Sequence, residues 1–231
     1  MKSLFITGIS SGIGKGLALF YADKGIKVYG LSRRELDYKH KNIFHLKLDI
    51  DNHNSLDLLT SFIGKEQIDL SILNAGVLGE MSSMKNVSIE TLQKTMMTNV
   101  WSQKAIIDKL IKLNCTKQIM AISSGAGVKG TLGWSGYSIS KAALNMLIQL
   151  YANENPNLFF IAFAPGLVDT PMQDYLCESV DTKKFPTITR LKEARGTQAM
   201  PKPEVFSQLF NEKLEQVLEL ESGSFVDIRK L

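Results

Sequence analysis

SLFITGISSGIGKGLALFYADK, residues 3–24, carries three structural statements in one run. Ser3 to Thr7 is short, apolar and nearly continuous, the composition of a strand buried on both faces. Gly12 to Lys24 places apolar residues at i, i+3 and i+4, the period of an amphipathic helix. Between them Thr7 to Gly14 spells TGISSGIG, where Gly8, Gly12 and Gly14 permit a tight turn and let backbone N–H groups approach an anion at the positive end of the helix. Strand, glycine turn and helix in that order open a βαβ unit, and they predict a dinucleotide pyrophosphate site at Gly8, Ser10, Ser11, Gly12, Ile13 and Gly14. The spacing is GxxxGxG and not the commoner GxGxxG, so the flanking strand and helix carry the inference.

The same alternation continues outward. Lys27 to Ser32, Ile43 to Leu48, Asp69 to Leu73, Gln118 to Ser124 and Leu158 to Ala164 read as further strands buried on both faces. Asn54 to Ile63, Ile89 to Leu113 and Tyr137 to Asn153 read as helices between them. A final helix near Glu204 to Glu219 and a short strand around Ser224 to Ile228 complete the pattern. Such alternation predicts a single α/β domain over residues 1–231, a doubly wound parallel sheet of about seven strands with right-handed crossovers and helices on both faces. Residues 169–203, rich in proline and charge, read as an elaboration over the carboxyl edge of the sheet, where ligands of open α/β sheets bind.

Composition narrows the function classes. The chain has 231 residues, 44% of them hydrophobic and 22% charged, ordinary values for a globular core. Its net charge of +4 is scattered without long runs of one sign, which argues against a nucleic-acid surface. Cys115 and Cys177 are too few for a disulfide framework and suggest a reduced, cytoplasmic setting. His40, His45 and His53 lack metal-ligand spacing, so no metal is expected. No stretch reaches a signal-peptide core or a membrane span, so neither export nor membrane insertion is expected.

Five ordered motifs between about residues 3 and 175 resemble the short-chain dehydrogenase/reductase family. They are the TGxxxGxG turn; LNAG, Leu73 to Gly76, resembling NNAG with leucine for the first asparagine; Ser123 and Ser124 closing the fifth strand; YSISK, Tyr137 to Lys141, the YxxxK pattern; and PGLVDT, Pro165 to Thr170, resembling PGxVxT. Asn99 falls where the family has its helix asparagine. The resemblance implies a Rossmann fold, a nicotinamide dinucleotide cofactor and hydride transfer to or from a small carbonyl or alcohol. It also implies that Asn74, Ala75, Gly76, Pro165, Gly166, Val168 and Thr170 contact the cofactor, and that Asp49 and Ile50 hold its adenine. As a turn-starting residue Asp49 also reads simply as a cap.

Tyr137 and Lys141 are four apart in a helical pattern and share a face, where an ammonium would favour the phenolate and lower a pKa that is ordinarily about 10. The resemblance implies that Tyr137 is the acid/base, that Ser124, thirteen residues earlier, hydrogen-bonds the substrate oxygen, and that Lys141 also holds the nicotinamide ribose. It further implies that Asn99 holds a water linking Lys141 to solvent. A non-catalytic dinucleotide sensor is the competing class, and it would have no need of Tyr137 and Lys141 together. Sugar-nucleotide epimerisation on this fold would require a larger substrate domain.

Cofactor choice follows from LSRRE after the second strand. Ser32 stands where a carboxylate would select NAD, and Arg33, then Arg34, offer guanidiniums to the 2′-phosphate of NADP, so NADP(H) is preferred with NAD(H) as the lesser option. The direction of Lys15, just beyond the turn, is open. The stretches around Tyr137 and Pro165 and the terminal SGSFVDI resemble the sepiapterin reductase and benzil reductase branch. Val128, Leu132, Trp134, Leu167, Met172 and Tyr175 are candidates for an apolar substrate wall. The helices Ile89 to Leu113 and Tyr137 to Asn153 are more apolar than one buried face needs, which predicts a homodimer or homotetramer.

Overall fold

The apolar runs form β1 (Ser3–Thr7), β2 (Lys27–Ser32), β3 (Ile43–Lys47), β4 (Leu70–Leu73), β5 (Gln118–Ile122), β6 (Phe159–Ala164) and β7 (Phe225–Asp227). In the computed structural model, which describes residues 1–231, these strands make one sheet in the order β3-β2-β1-β4-β5-β6-β7, every pair parallel. Ile6 stands beside Gly30 of β2 and Ile72 of β4. The order reverses between β1 and β4, and a crevice opens at that switch beyond the carboxyl ends of the strands.

Alternate residues of each strand face opposite layers. Ile6, Ile72, Ile161 and Phe163 pack under α1 (Gly12–Asp23) and α8 (Pro203–Leu218) through Leu17, Tyr21, Phe206 and Phe210. Phe5, Leu73 and Ala121 face α2 (Leu58–Ile63), α4 (Ser102–Leu113) and α5 (Ser135–Glu154) through Leu59, Ile106, Leu110, Leu144 and Ile148. One strand departs from the expected burial on both faces. β3 forms the sheet edge and leaves Phe44 42% exposed, because no neighbour covers its outer side.

Two predicted helices are less regular than their periodicity implied. Asn54 to Ile63 begins as a 3-10 turn over His53–Asp57 before α2. Ile89 to Leu113 is continuous but contains α3 (Ile89–Met96), a π turn at Met97–Trp101 and α4. A π turn accommodates one extra residue per turn and is frequent at functional sites.

Within residues 169–203 lie α6 (Pro171–Ser179) and α7 (Thr187–Ala194). Leu176, Phe185, Ile188 and Leu191 form a small core of their own against Leu78 and Met81. Arg195 ties the segment together, pairing Nε with Asp169 at 3.2 Å, Nη1 with Glu178 at 3.0 Å and Nη2 with Asp174. No helix is long and apolar enough to cross a membrane.

Candidate active site

The glycine turn leaves β1 with Gly8 at φ +77°, a left-handed conformation that a side chain would strain. Gly8 and Ile9 donate their N–H groups to the Leu31 carbonyl at 2.7 and 3.2 Å, which fastens the turn to β2. A Cβ on Gly14 would lie 2.3 Å from the Gly8 carbonyl oxygen, so the helix enters closer than any side chain allows. Ser11 caps α1 without a side-chain hydrogen bond, leaving the first N–H groups of that helix to the crevice. A backbone cradle with free donors fits a pyrophosphate. Asn74 holds it from β4, its Nδ2 donating to the carbonyls of Thr7 at 3.0 Å and Gly8 at 3.3 Å, while the Ala75 N–H donates to Thr7 Oγ1 at 2.9 Å.

From this turn one cavity of about 860 Å³ runs along the carboxyl edge of the sheet. All the expected cofactor and catalytic residues line it except Gly14, packed beneath the turn, and Asn99, one layer behind. Asp49 lines it and also caps the following turn, accepting the Asp51 N–H at 3.1 Å, while Ile50 lines it from a buried position. The Ser32 hydroxyl donates to the Arg34 carbonyl at 2.7 Å and lies 2.8 Å from His45 Nε2. Arg33 and Arg34 both line the cavity, but it is Arg34 that crosses to the glycine turn, donating to Ser10 Oγ at 3.2 Å and Ser11 Oγ at 2.9 Å. Lys15 turns away, donating to Asp37 at 2.8 and 2.9 Å.

At the other end Tyr137, Lys141 and Ser124 converge. Ser123, the neighbouring candidate, is committed to Asn145, whereas the Ser124 hydroxyl reaches the Tyr137 phenol and accepts the Ala126 N–H at 3.1 Å. Lys141 Nζ donates to the Ile122 carbonyl at 2.6 Å and lies 5.6 Å from the Tyr137 ring centre. The expected lowering of the tyrosine pKa is not met. Burial holds the Tyr137 phenol above its ordinary value, against the pull of the Ser124 hydrogen bond, and burial brings Lys141 down from 10.5 to about 8. Desolvation disfavours the charged form of both groups and outweighs their proximity.

Asn99 sits on the π turn and is 1% exposed. Its amide donates to the Val77 carbonyl at 2.8 Å and to Ser140 Oγ at 2.9 Å, and its Oδ1 accepts the Val77 N–H at 2.8 Å. The side chain is therefore spent on positioning the Gly76–Val77 segment, where a Cβ on Gly76 would lie 3.1 Å from Asn99 Oδ1 and 3.6 Å from Lys141 Nζ.

A family model described as short chain dehydrogenase matches residues 2–181. The chain is a short-chain dehydrogenase. It is an oxidoreductase of the CH–OH/C=O type that uses a nicotinamide dinucleotide. This short-chain dehydrogenase is 27% identical to benzil reductase ((S)-benzoin forming) of Bacillus subtilis, over 100% of this chain and 99% of the relative. It is 32% identical to the uncharacterized oxidoreductase YIR035C of Saccharomyces cerevisiae over 84% of this chain and 81% of that one. The crystal structure of that yeast protein superposes with a TM-score of 0.85, covering 99% of this chain and 96% of the other. ElxO with NADP bound shares the fold at a TM-score of 0.77 and 22% identity, covering 98% and 96% of the two chains.

Around the tyrosine of this short-chain dehydrogenase the expected apolar wall is only half present. Trp134 stands with its ring centre 5.8 Å from that of Tyr137, and Leu167 and Met172 complete the apolar side. Val128, Leu132 and Tyr175 are instead 64%, 56% and 44% exposed and lie off the cavity, the first two carried outward by the loop between the 3-10 turn Gly125–Gly127 and α5. Residues not foreseen also line the cavity, the apolar Leu176 and Leu191 of α6 and α7 together with Lys129, Gln173, Arg190 and Arg229. The Gln173 Oε1 is buried without a hydrogen-bond partner. Arg229 donates Nε to Asp227 Oδ1 at 2.8 Å and packs over Gly166. In the sequence only the nearby Asp227, two residues earlier in the terminal strand, pointed to Arg229; the structure shows that carboxylate 6% exposed and paired with the guanidinium.

Proposed function

We propose that this short-chain dehydrogenase is an NADPH-dependent reductase of ketones, aldehydes or diketones on a small substrate with an apolar or aromatic body. The observation that carries the reading is the convergence of Ser124, Tyr137 and Lys141 at one end of the cavity whose other end is the glycine turn. The nicotinamide, when bound, supplies the hydride. The Tyr137 hydroxyl donates the proton to the carbonyl oxygen, and its raised pKa keeps it protonated for that step. Ser124 donates a hydrogen bond to the same oxygen. Lys141, buried beside the phenol, holds the cofactor ribose and supplies positive charge as the phenolate forms. Trp134, Leu167 and Met172 receive the substrate body, with residues 169–203 as its cover, and the 27% identity to a benzil reductase supports a vicinal diketone among the substrates.

Preference for the phosphorylated cofactor rests on Ser32, whose hydroxyl is spent on His45 and Arg34, and on the two guanidiniums beside it. The chain assembles as a homo-oligomer through α4, α5 and the π turn, where Trp101, Met146 and Leu150 are 46%, 54% and 48% exposed. Its free, buried Cys115 and Cys177 fit a cytoplasmic location. NADPH oxidation assayed against a panel of aromatic aldehydes, ketones, diketones and pteridines tests the reading. Tyr137→Phe should keep cofactor affinity and lose turnover by several orders of magnitude, and turnover within about tenfold of wild type would refute the role of Tyr137.

A further inference from the structure

Three cations at the substrate end of the cavity have no use in the mechanism above. Lys129 follows β5, Arg190 lies on α7 after β6, and Arg229 follows β7; all three line the same cavity as Tyr137, with Arg229 against Gly125 at the end of β5 and α7 joined to Trp134 through Thr187 at 3.4 Å. Arg229 is paired with Asp227, but Lys129 and Arg190 have no carboxylate within ion-pair distance. The one acidic residue on the lining is Asp49, which follows β3. Four strand intervals separate β3 from β5, about 19 Å at about 4.8 Å each, which is more than twice the screening length of about 8 Å at physiological salt. Asp49 therefore does not neutralise that end.

Nor do the anions of the dinucleotide. Its pyrophosphate belongs at the start of α1 and its 2′-phosphate at Arg33 and Arg34, all on the β1 and β2 side of the switch. A cleft lined by one sign of charge concentrates ligands of the other sign. The wall also differs from an apolar pocket in the positions that matter: Val128 and Leu132 point out while Lys129, between them, lines the cavity.

We propose, on the basis of the carbonyl-reductase reading, that the substrate carries an anionic group, carboxylate or phosphate, which Arg190 and Lys129 hold while its carbonyl meets Tyr137 and Ser124. Its aromatic or apolar body rests on Trp134, Leu167 and Met172, and Arg229 is a fixed cation behind it.

The test uses pairs of aryl ketones in which an anionic group is replaced by a neutral one. Wild type should reduce 4-acetylbenzoate with a kcat/KM about tenfold above that of methyl 4-acetylbenzoate, and the gap should narrow as salt is raised. Arg190→Ala and Lys129→Ala, both at exposed positions, should each lower kcat/KM for the acid about tenfold through KM and leave the ester within about twofold. The ester thus reports that each variant is folded. Parallel assays of 4-acetylphenyl phosphate against 4-methoxyacetophenone show whether phosphate or carboxylate gains more, and a gain by either supports the proposal. Neutral compounds turned over as well as the anions in both pairs, or variants that slow acid and ester alike, overturn it. Calorimetric titration of 4-acetylbenzoate into the NADP-loaded protein separates this claim from the reductase reading. Binding that depends on Arg190 without any turnover leaves the anion site standing and removes the reductase, whereas absence of binding removes the anion site.

Discussion

Replacing Lys141 by methionine should make the ligand-free protein more stable while abolishing NADPH oxidation. The ammonium is 4% exposed, and burial moves its pKa from 10.5 to about 8. At about 1.4 kcal/mol for each tenfold change in proton affinity, that displacement amounts to about 3 kcal/mol against the folded state wherever the lysine is charged in both states. Between pH 8 and pH 10.5 the unfolded chain retains a proton on Lys141 that the folded chain has released. Stability of the wild type accordingly rises with pH across that window, and the penalty is complete below it. Methionine removes the charge and keeps most of the volume, but strands the Ile122 carbonyl that Nζ contacts at 2.6 Å, a loss of about 1 kcal/mol. The net gain at pH 7 is about 2 kcal/mol, or a rise in Tm of roughly 4–8 °C for a chain of this size. Scanning calorimetry of both proteins at pH 7, 8, 9 and 10 without cofactor reads it directly. A variant less stable than wild type at pH 7, or an advantage that does not shrink as pH rises, would refute the claim that desolvation dominates at this lysine.

Asn99→Ala removes all three hydrogen bonds of the buried amide and leaves the Val77 N–H and carbonyl without that partner, so urea unfolding should show a loss of about 2–4 kcal/mol; a loss below about 0.5 would contradict the positioning role. Arg34→Ala and Arg33→Ala should each weaken NADPH about tenfold and leave NADH within about twofold in calorimetric titrations, and an unchanged NADPH to NADH ratio would reduce the arginines to a solvated strand end. Light scattering at micromolar concentration should return a dimer or tetramer; a fully active monomer would show that the exposed side chains of α4 and α5 have another purpose.

The sheet was legible because a strand covered on both faces must be apolar throughout, and only β3, an edge strand with Phe44 outward, departs from that rule. The motifs were legible for a different reason. Backbone turns and i, i+4 pairs are local, so the glycine turn and the Tyr137–Lys141 pair could be read from spacing, as could Ser124 from its interval to Tyr137. What escaped depends on direction in space. Loops have no period, so nothing distinguished Lys129, which lines the cavity, from its neighbour Val128, which does not. Arg33 and Arg34 are adjacent in sequence, yet only the second reaches Ser10 and Ser11. The protonation of Tyr137 and Lys141 escaped too, since it follows from the depth of burial and not from the identity of the partners.

The π turn at Met97–Trp101 has a meaning best expressed as rotation. Each residue of an α-helix advances about 100°, so one surplus residue turns everything after it by about that angle relative to everything before. Upstream, Thr95 of α3 faces the glycines at 79 and 136; downstream, Ile106, Ile107 and Leu110 of α4 face the sheet. A single rod could not keep both appointments in one phase. The length of this segment is therefore under a constraint that its amino-acid identities do not express. A one-residue deletion there would leave every flanking side chain chemically intact and aim one half of the helix at the wrong neighbours.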